Sequence, residues 1–237
     1  MQVVSKKDQK SELAKQKLLE ATKAIIEEYG IRHLTVRNVC EKSGVSSGSL
    51  YHHFGTKENL VCTYIEKLFE QVVKRNPIPE NMKAKANYGA VLWSFLVYAR
   101  FCETLGPDTV QVLFSASDHD FFEQSEIWQE IRKNVAAMFL EGGEFYRPDF
   151  SLSVMKDIYA DLQVLYRGVV ISWCMESKSS WLKSERSACE NMEHLLFRFL
   201  LSFASDEYKK GIRSGGLIVE QPDFASFFDM SDVAIRN

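Results

Sequence analysis

A chain of 237 residues that is 46% hydrophobic and 26% charged carries enough apolar material for one large core or two modest ones. That balance excludes both a disordered and a membrane-embedded protein. The formal charge of −3 conceals an asymmetry: residues 1–57 hold ten Lys/Arg against six Asp/Glu, while the rest holds nineteen against twenty-six, so only the N-terminal end has the sign that attracts nucleic acid.

In chain order, residues 1–10 read as a polar basic arm, either solvated or laid against phosphate or a minor groove through Lys6, Lys7 and Lys10. A helix is expected over 11–29, with Ala14, Leu18, Ala21, Ile25 and Tyr29 on one face and Gly30 ending it. Thr35 stands as an N-cap, Val36, Val39 and Cys40 follow at helical spacing, and Gly44 falls where a left-handed residue closes a short helix. Val45 turns inward, and Ser46 or Ser47 caps a second short helix that carries Leu50. The outer side of that helix holds Ser47, Gly48, Ser49, Tyr51, His52 and His53. These side chains are small or hydrogen-bonding, and such a surface suits the major groove: hydroxyls and imidazoles reach base edges and phosphates, and the helix N-terminus attracts phosphate.

Phe54-Gly55 breaks the chain, and Thr56 caps a long helix with Leu60, Val61, Tyr64, Ile65, Leu68, Phe69 and Val72. Val45, Leu50, Phe54, Ile25 and Tyr64 are assigned to core packing. Asn76-Pro77-Ile78-Pro79 forbids continuation and marks a boundary, giving units at 1–75 and 80–204 and an extension at 205–237.

Beyond the boundary the pattern stays helical. Apolar helical stretches are expected over 84–105, ending at Gly106-Pro107, then a short one around Val110 to Phe114, and another over 121–140 ending at Gly142-Gly143. Two long helices follow at 151–176 and 182–204. In the last, Ala188, Met192, Leu195, Leu196, Phe199 and Phe203 form one stripe, whereas 151–176 is apolar on more than one side and must be buried on several faces. A stripe alone describes monomer core equally well. In the extension, Phe224, Phe227, Phe228 and Met230 are apolar anchors that would pack back on the chain or on a partner.

Other chemistry is sparse. Cys40, Cys62, Cys102, Cys174 and Cys189 are an odd, widely spaced set in apolar helices and read as small buried hydrophobes of a reducing compartment. No export signal precedes them and no run reaches transmembrane length, so a soluble cytoplasmic protein without a membrane partner is expected. His52 and His53 point apart on a helix and cannot share a metal. Asp118-His119-Asp120 sits in an expected surface loop, so neither metal nor cofactor is expected. No G-x-S-x-G, H-E-x-x-H, Walker or dinucleotide fingerprint occurs, which argues against an enzyme. Arg100, Glu103 and Arg167 lie inside apolar stretches, where they either pair with each other or orient a charged ligand.

Two short helices around a glycine turn also describe an ordinary helical hairpin, but the match is wider than the turn. Leu34-Thr35-Val36-Arg37, Ser43-Gly44-Val45 and Leu50-Tyr51-His52-His53-Phe54-Gly55-Thr56-Lys57-Glu58-Asn59-Leu60, flanked by their two helices, resemble the DNA-binding domain of TetR-family transcriptional regulators over about residues 10–75. The resemblance implies an all-α protein with an N-terminal three-helix helix-turn-helix domain and a C-terminal helical bundle for ligand binding and dimerisation. It implies that Thr35 donates to a phosphate, that Arg37 reaches a base or a phosphate, and that Ser46, Ser47, Gly48 and Ser49 open the recognition helix, with Ser47 and Ser49 aimed at base edges. Tyr51, His53 and Lys57 match phosphate-binding positions, and His52 either contacts DNA or faces solvent.

The last two long helices would pair with those of a second copy, and the homodimer would read a palindromic double-stranded operator. The second domain would enclose a small-molecule inducer that binds the form unable to hold DNA, for which Trp93, Tyr98, Phe101, Phe114, Trp128, Tyr159, Gln163, Tyr166 and Trp173 are candidate lining. Repression is the expected outcome; activation, or a TetR shape used for protein–protein contact, is the alternative.

Overall fold

The computed structural model describes residues 6–80, 88–115, 152–176, 186–203 and 228–231, together with residues 129, 130, 132, 133, 136, 205, 206, 233 and 235. The fold is all-α, and no strand occurs among the described residues. Helix α1 runs Lys6–Tyr29, a 3-10 turn covers Ile31–His33, and α2 (Val36–Ser43), α3 (Ser47–Phe54) and α4 (Lys57–Arg75) complete the N-terminal unit. Further on lie α5 (Tyr88–Leu105), α6 (Pro107–Ser115), α7 (Leu152–Glu176) and α8 (Ala188–Ser202). The expected helix at 121–140, with Trp128, and the loop at 118–120 fall outside the described residues, except for isolated helical positions between 129 and 136.

Helix α1 starts earlier than the periodicity predicts. Residues 6–10, expected as an arm, form its first turn, because Lys and Gln are good helix formers and Asp8 complements the helix N-terminus. Lys7 and Lys10 are exposed on it. Leu18, Leu19, Ala21, Ile25 and Ile26 are buried, and Thr22 joins them by donating its hydroxyl to the Leu18 carbonyl at 2.8 Å. Tyr29, expected on the same face, is instead 53% exposed: the chain turns away at Gly30 (φ 82°) directly beyond it, and its ring meets the His33 ring at 6.1 Å.

Helix α4 is buried on more than one side, through Leu60, Val61, Cys62, Tyr64, Ile65, Leu68, Phe69 and Val72. One side packs on α1 and α3, the other on α5 and α6. The helix-turn-helix therefore rests on the same rod as the remaining helices. An ion pair from Arg32 to Asp108 at 2.7 Å bridges the 3-10 turn to α6.

Helix α5 is buried almost all round, from Val91 to Leu105, and lies along α8. Glu103 ties the two: Oε1 accepts from the Cys189 backbone N–H at 2.8 Å in the first turn of α8, while Oε2 accepts from Arg100 at 3.0 Å. An anion at a helix N-terminus satisfies donors that the helix itself leaves unpaired. Arg167 does not join this pair; its Nε donates to the Tyr166 hydroxyl at 3.2 Å and its guanidinium lies over that ring.

Helix α8 opens with a reciprocal capping box between Ser187 and Glu190 and buries Ala188, Cys189, Met192, Leu196 and Leu200. Leu195, in the stripe expected either as monomer core or as the surface that pairs with a second copy, is 43% exposed, while Met192 and Leu196 are buried. Cys62, Cys102, Cys174 and Cys189 are buried, Cys40 half-buried, and all five are free thiols. Burial pushes the Cys62 thiol up to about 11 and that of Cys189 up to about 12, so both remain protonated hydrophobes.

Candidate nucleic-acid interface

The site is assembled from three successive helix starts, each closed by a hydroxyl. Thr35 Oγ1 accepts from the Asn38 N–H at 3.1 Å at the start of α2, Ser46 Oγ from the Ser49 N–H at 3.3 Å at the start of α3, and Thr56 Oγ1 from the Asn59 N–H at 3.0 Å at the start of α4. In each case the hydroxyl oxygen accepts from the chain, and its own O–H stays available to an acceptor outside.

Two turns orient α2 and α3. Gly44 takes the left-handed conformation (φ 66°) that an L side chain disfavours, and its N–H returns to the Cys40 carbonyl at 3.0 Å. Ser43 Oγ then accepts from the Val45 N–H at 3.2 Å, holding Val45 against the core. Inward from α3 go Leu50 and Phe54, both buried. Deleting a side chain such as Leu50, which has no exposure, costs ~2–5 kcal/mol and would displace the recognition helix as a whole.

The outer surface of α3 is left open. Ser46, Ser47, Gly48, Tyr51 and His52 are exposed, Ser49 and His53 half-buried. Tyr51 keeps half its surface exposed despite its size, and nothing lies over Gly48, so another molecule can approach the backbone there closely. The His53 ring packs edge-on between those of His52 and Phe54, at 5.4 and 6.2 Å. Lys57 occupies the first turn of α4, 3.5 Å from Glu58 and partly exposed.

Of the predicted residues, Thr35, Ser46, Ser47, Gly48, Ser49, Tyr51, His52, His53 and Lys57 thus lie on or at the ends of three contiguous helices. Arg37 is exposed but engaged: its Nε donates to Glu41 at 2.8 Å, and that contact holds the guanidinium still more firmly protonated. Sequence reasoning missed Glu41 and Asn38. The first was visible as an i,i+4 opposite-charge pair; the second is exposed on α2 and donates its amide to the His33 carbonyl at 2.9 Å. Lys42 to Glu28 (3.5 Å) further pins α2 to α1.

The candidate ligand-lining residues divide. Tyr98, Phe101 and Tyr166 are buried together with Phe69 and Phe95, with Tyr98 edge-on to Tyr166 at 5.5 Å and Phe69 against Phe101 at 5.0 Å. Phe114, Tyr159, Gln163 and Trp173 are half-buried. Trp93 lies elsewhere, donating Nε1 to the Asn76 carbonyl at 3.1 Å. Among the described residues no group of three His, Cys, Asp or Glu is placed to hold a metal ion, and no helix is long and apolar enough to cross a membrane.

Comparison with known proteins agrees with this geometry. The family described as bacterial regulatory proteins, tetR family, matches residues 18–62, the stretch from mid-α1 into α4. The HTH-type transcriptional repressor KstR2 of Mycobacterium tuberculosis is 50% identical over 44 residues, covering 19% of this chain and 22% of that protein. The HTH-type transcriptional regulator BetI 2 of Chromohalobacter salexigens is 30% identical over 84 residues, 34% of this chain and 41% of that protein. The chain thus matches well under half the length of these curated relatives, which are transcriptional regulators and not enzymes. Among solved structures, NalD of Pseudomonas aeruginosa, a secondary repressor of the MexAB-OprM multidrug efflux pump, superimposes with a TM-score of 0.49 at 17% identity, over 83% of this chain and 99% of that one. Residues 18–62, from mid-α1 into α4, thus match the model of the tetR family of bacterial regulatory proteins.

Proposed function

We propose that this chain is a homodimeric, ligand-responsive transcriptional regulator, a repressor, that reads a palindromic operator through the N-terminal ends and outer faces of α2 and α3. The observation that carries the reading is the open surface of α3: hydroxyls at Ser46 and Ser47, a glycine with nothing above it, and an exposed Tyr51, on a helix whose own apolar side chains are fully consumed inside. Ser47 and Ser49 meet base edges. Thr35, Tyr51, His53 and Lys57 hold phosphates, and the lysine exchanges Glu58 for DNA. Arg37 must likewise share Glu41 with its target.

Dimerisation is supported by an apolar stripe on α7. Val164 (73% exposed), Ile171 (40%) and Met175 (65%) recur at helical spacing around Gly168, above which nothing lies, and Leu195 is exposed on α8. A glycine in such a stripe lets a second helix approach closely. Two copies related by a two-fold axis would each bury it, and two recognition helices then read an inverted repeat.

Ligand response is supported by the aromatic cluster at the junction of the two parts. Phe69 of α4 touches both Tyr98 (5.6 Å) and Phe101 (5.0 Å) of α5, so a small apolar or aromatic molecule that repacks these rings also moves α4. The boundary follows as a DNA-binding unit to residue 75 and a ligand and dimerisation unit over 80–204. The repressor reading, and the cytoplasmic location it requires, draw on relatives described as repressors. Selection of bound fragments from a random duplex pool tests the whole: recovery of an inverted repeat is expected, and no enrichment from folded protein would overturn the reading.

A further inference from the structure

The C-terminus of α4 is held by a segment 153 residues away. The Asn76 side chain pairs with the backbone of Asp229 in a two-bond ring, Oδ1 accepting from its N–H at 2.7 Å and Nδ2 donating to its carbonyl at 2.9 Å. The same Nδ2 donates to the Val72 carbonyl at 2.8 Å, in the last turn of α4. Asn76 is buried, so each of these bonds replaces one that water cannot supply. The Asn76 carbonyl in turn accepts from Trp93 of α5, and the Trp93 ring meets Phe228 edge-on at 4.7 Å. Phe228 and Val233 are buried, and Met230 and Ile235 pack against the same core. Outside this knot, Arg75 donates to Ser231 Oγ and lies 3.8 Å from Asp229. The Asp229 carboxylate also accepts from the Ser231 N–H at 3.0 Å, and contacts with Ser231 and Arg75 hold it below the ordinary carboxylate range.

One asparagine therefore joins three elements: the end of α4, helix α5 and the segment at Asp229. The last carbonyls of α4 accept from the Asn76 backbone and side chain, and Asp229 holds that side chain in place. We propose that the segment carrying Phe228–Ser231, Val233 and Ile235 is a strap that pins the α4 terminus to α5 and fixes the angle at which the DNA-reading helices are presented. With the strap on, the α4 exit is fixed in place against α5; with it off, Pro77 to Pro79 become a hinge.

Two variants of the full chain test this: truncation after residue 227, and Asn76→Asp, which keeps the shape but removes the Nδ2 donor and sets a carboxylate against the Asp229 carbonyl. Hydrogen exchange of the Val72–Asn76 amides should quicken by about tenfold or more in both variants, while the amides of Leu18–Ile26 and Leu50–Phe54 stay protected. Should the truncated chain fail to fold by circular dichroism, Asn76→Asp alone decides. Unchanged exchange at Val72–Asn76 in a folded variant would overturn the strap, and this readout needs no DNA.

The consequence for presentation rests on the operator reading above and is tested separately. Affinity for a duplex with two half-sites, taken from the selected pool, should fall about tenfold or more, while affinity for a single half-site is unaltered. Faster exchange with both affinities unchanged would overturn the presentation role; equal losses on the two duplexes would overturn it as well, by placing the damage inside the reading unit.

Discussion

Val164→Glu addresses the dimer most directly. Val164 is 73% exposed, the most open residue of the α7 stripe, one turn from Gly168, and glutamate is at least as good a helix former as valine, so the helix itself is not weakened. Burying a valine completely is worth ~1.5 kcal/mol, and the exposed three-quarters of it about 1 kcal/mol. A two-fold interface loses this twice. Each glutamate must then be desolvated without a partner, or hold the copies apart, in a neighbourhood that already carries Asp161 on the same helix side, and an unpaired interfacial charge costs ~1–3 kcal/mol or more. Together these terms reach roughly 3–5 kcal/mol, which raises the dimer Kd by about a hundredfold to several thousandfold.

Sedimentation equilibrium over a wide concentration range measures the shift, with circular dichroism confirming the helices. Leu13→Glu is the control, since Leu13 is an equally apolar, 52% exposed residue on α1, away from the stripe. The reasoning is refuted if Val164→Glu associates as tightly as the unaltered chain, or if Leu13→Glu disrupts association as strongly.

Lys57→Ala should weaken binding to every duplex sequence alike and make the slope of log affinity against log salt shallower by about 1; an unchanged slope would remove Lys57 from the phosphate contacts. Gly44→Ala should lower stability by ~1–2 kcal/mol in urea titration, because nothing within 4 Å opposes a Cβ and only the left-handed backbone does; Gly44→Asn should cost clearly less, and equal losses would contradict the backbone argument. Burial, reinforced by Glu70, pushes the Glu66 carboxyl on α4 up to about 7, whereas the unfolded chain ionises it near ~4.3. Between those values the folded state holds a proton the unfolded state has lost, so stability falls as pH rises through the window and the penalty is complete above it. Glu66→Gln should therefore melt higher than the unaltered chain at pH ~8 and lose that advantage by pH ~4; a pH-independent difference would count against it.

What the sequence makes legible follows the range of the interactions. The caps at Thr35, Ser46 and Thr56 each close a bond to the residue three further on, and Gly44 and Gly55 stop helices through bonds spanning four residues, so residue type and spacing suffice to place them. The exposed face of α3 is legible for the same reason: its inward positions, Leu50 and Phe54, are few and unambiguous. Tyr29 fails because periodicity names a face without saying that the chain turns away at Gly30, directly beyond it. The Asn76 to Asp229 pairing is invisible in principle, since an asparagine before proline reads only as a stop signal and its partner is 153 residues away.

The same distinction bears on how the two halves of the reading connect. Among the described elements, helix α4 alone carries a proposed phosphate ligand, Lys57, a ring in the aromatic cluster, Phe69, and the anchor of the proposed strap at its exit, Asn76. Lys57 and Phe69 are twelve residues apart, ~18 Å along an α-helix, and an unbroken helix transmits rotation over that length with little bending. A tilt of ~5° about the strapped end, nineteen residues or roughly 28 Å away, shifts the Lys57 end by about 2.5 Å, enough to break a phosphate contact that must close to ~3 Å. In the proposed ligand response, repacking Phe69 against Tyr98 and Phe101 would supply the push, and the proposed strap the pivot. A pivot at Asn76 makes the motion a rotation and not a translation, and so converts a small change among buried rings into a larger one at the DNA.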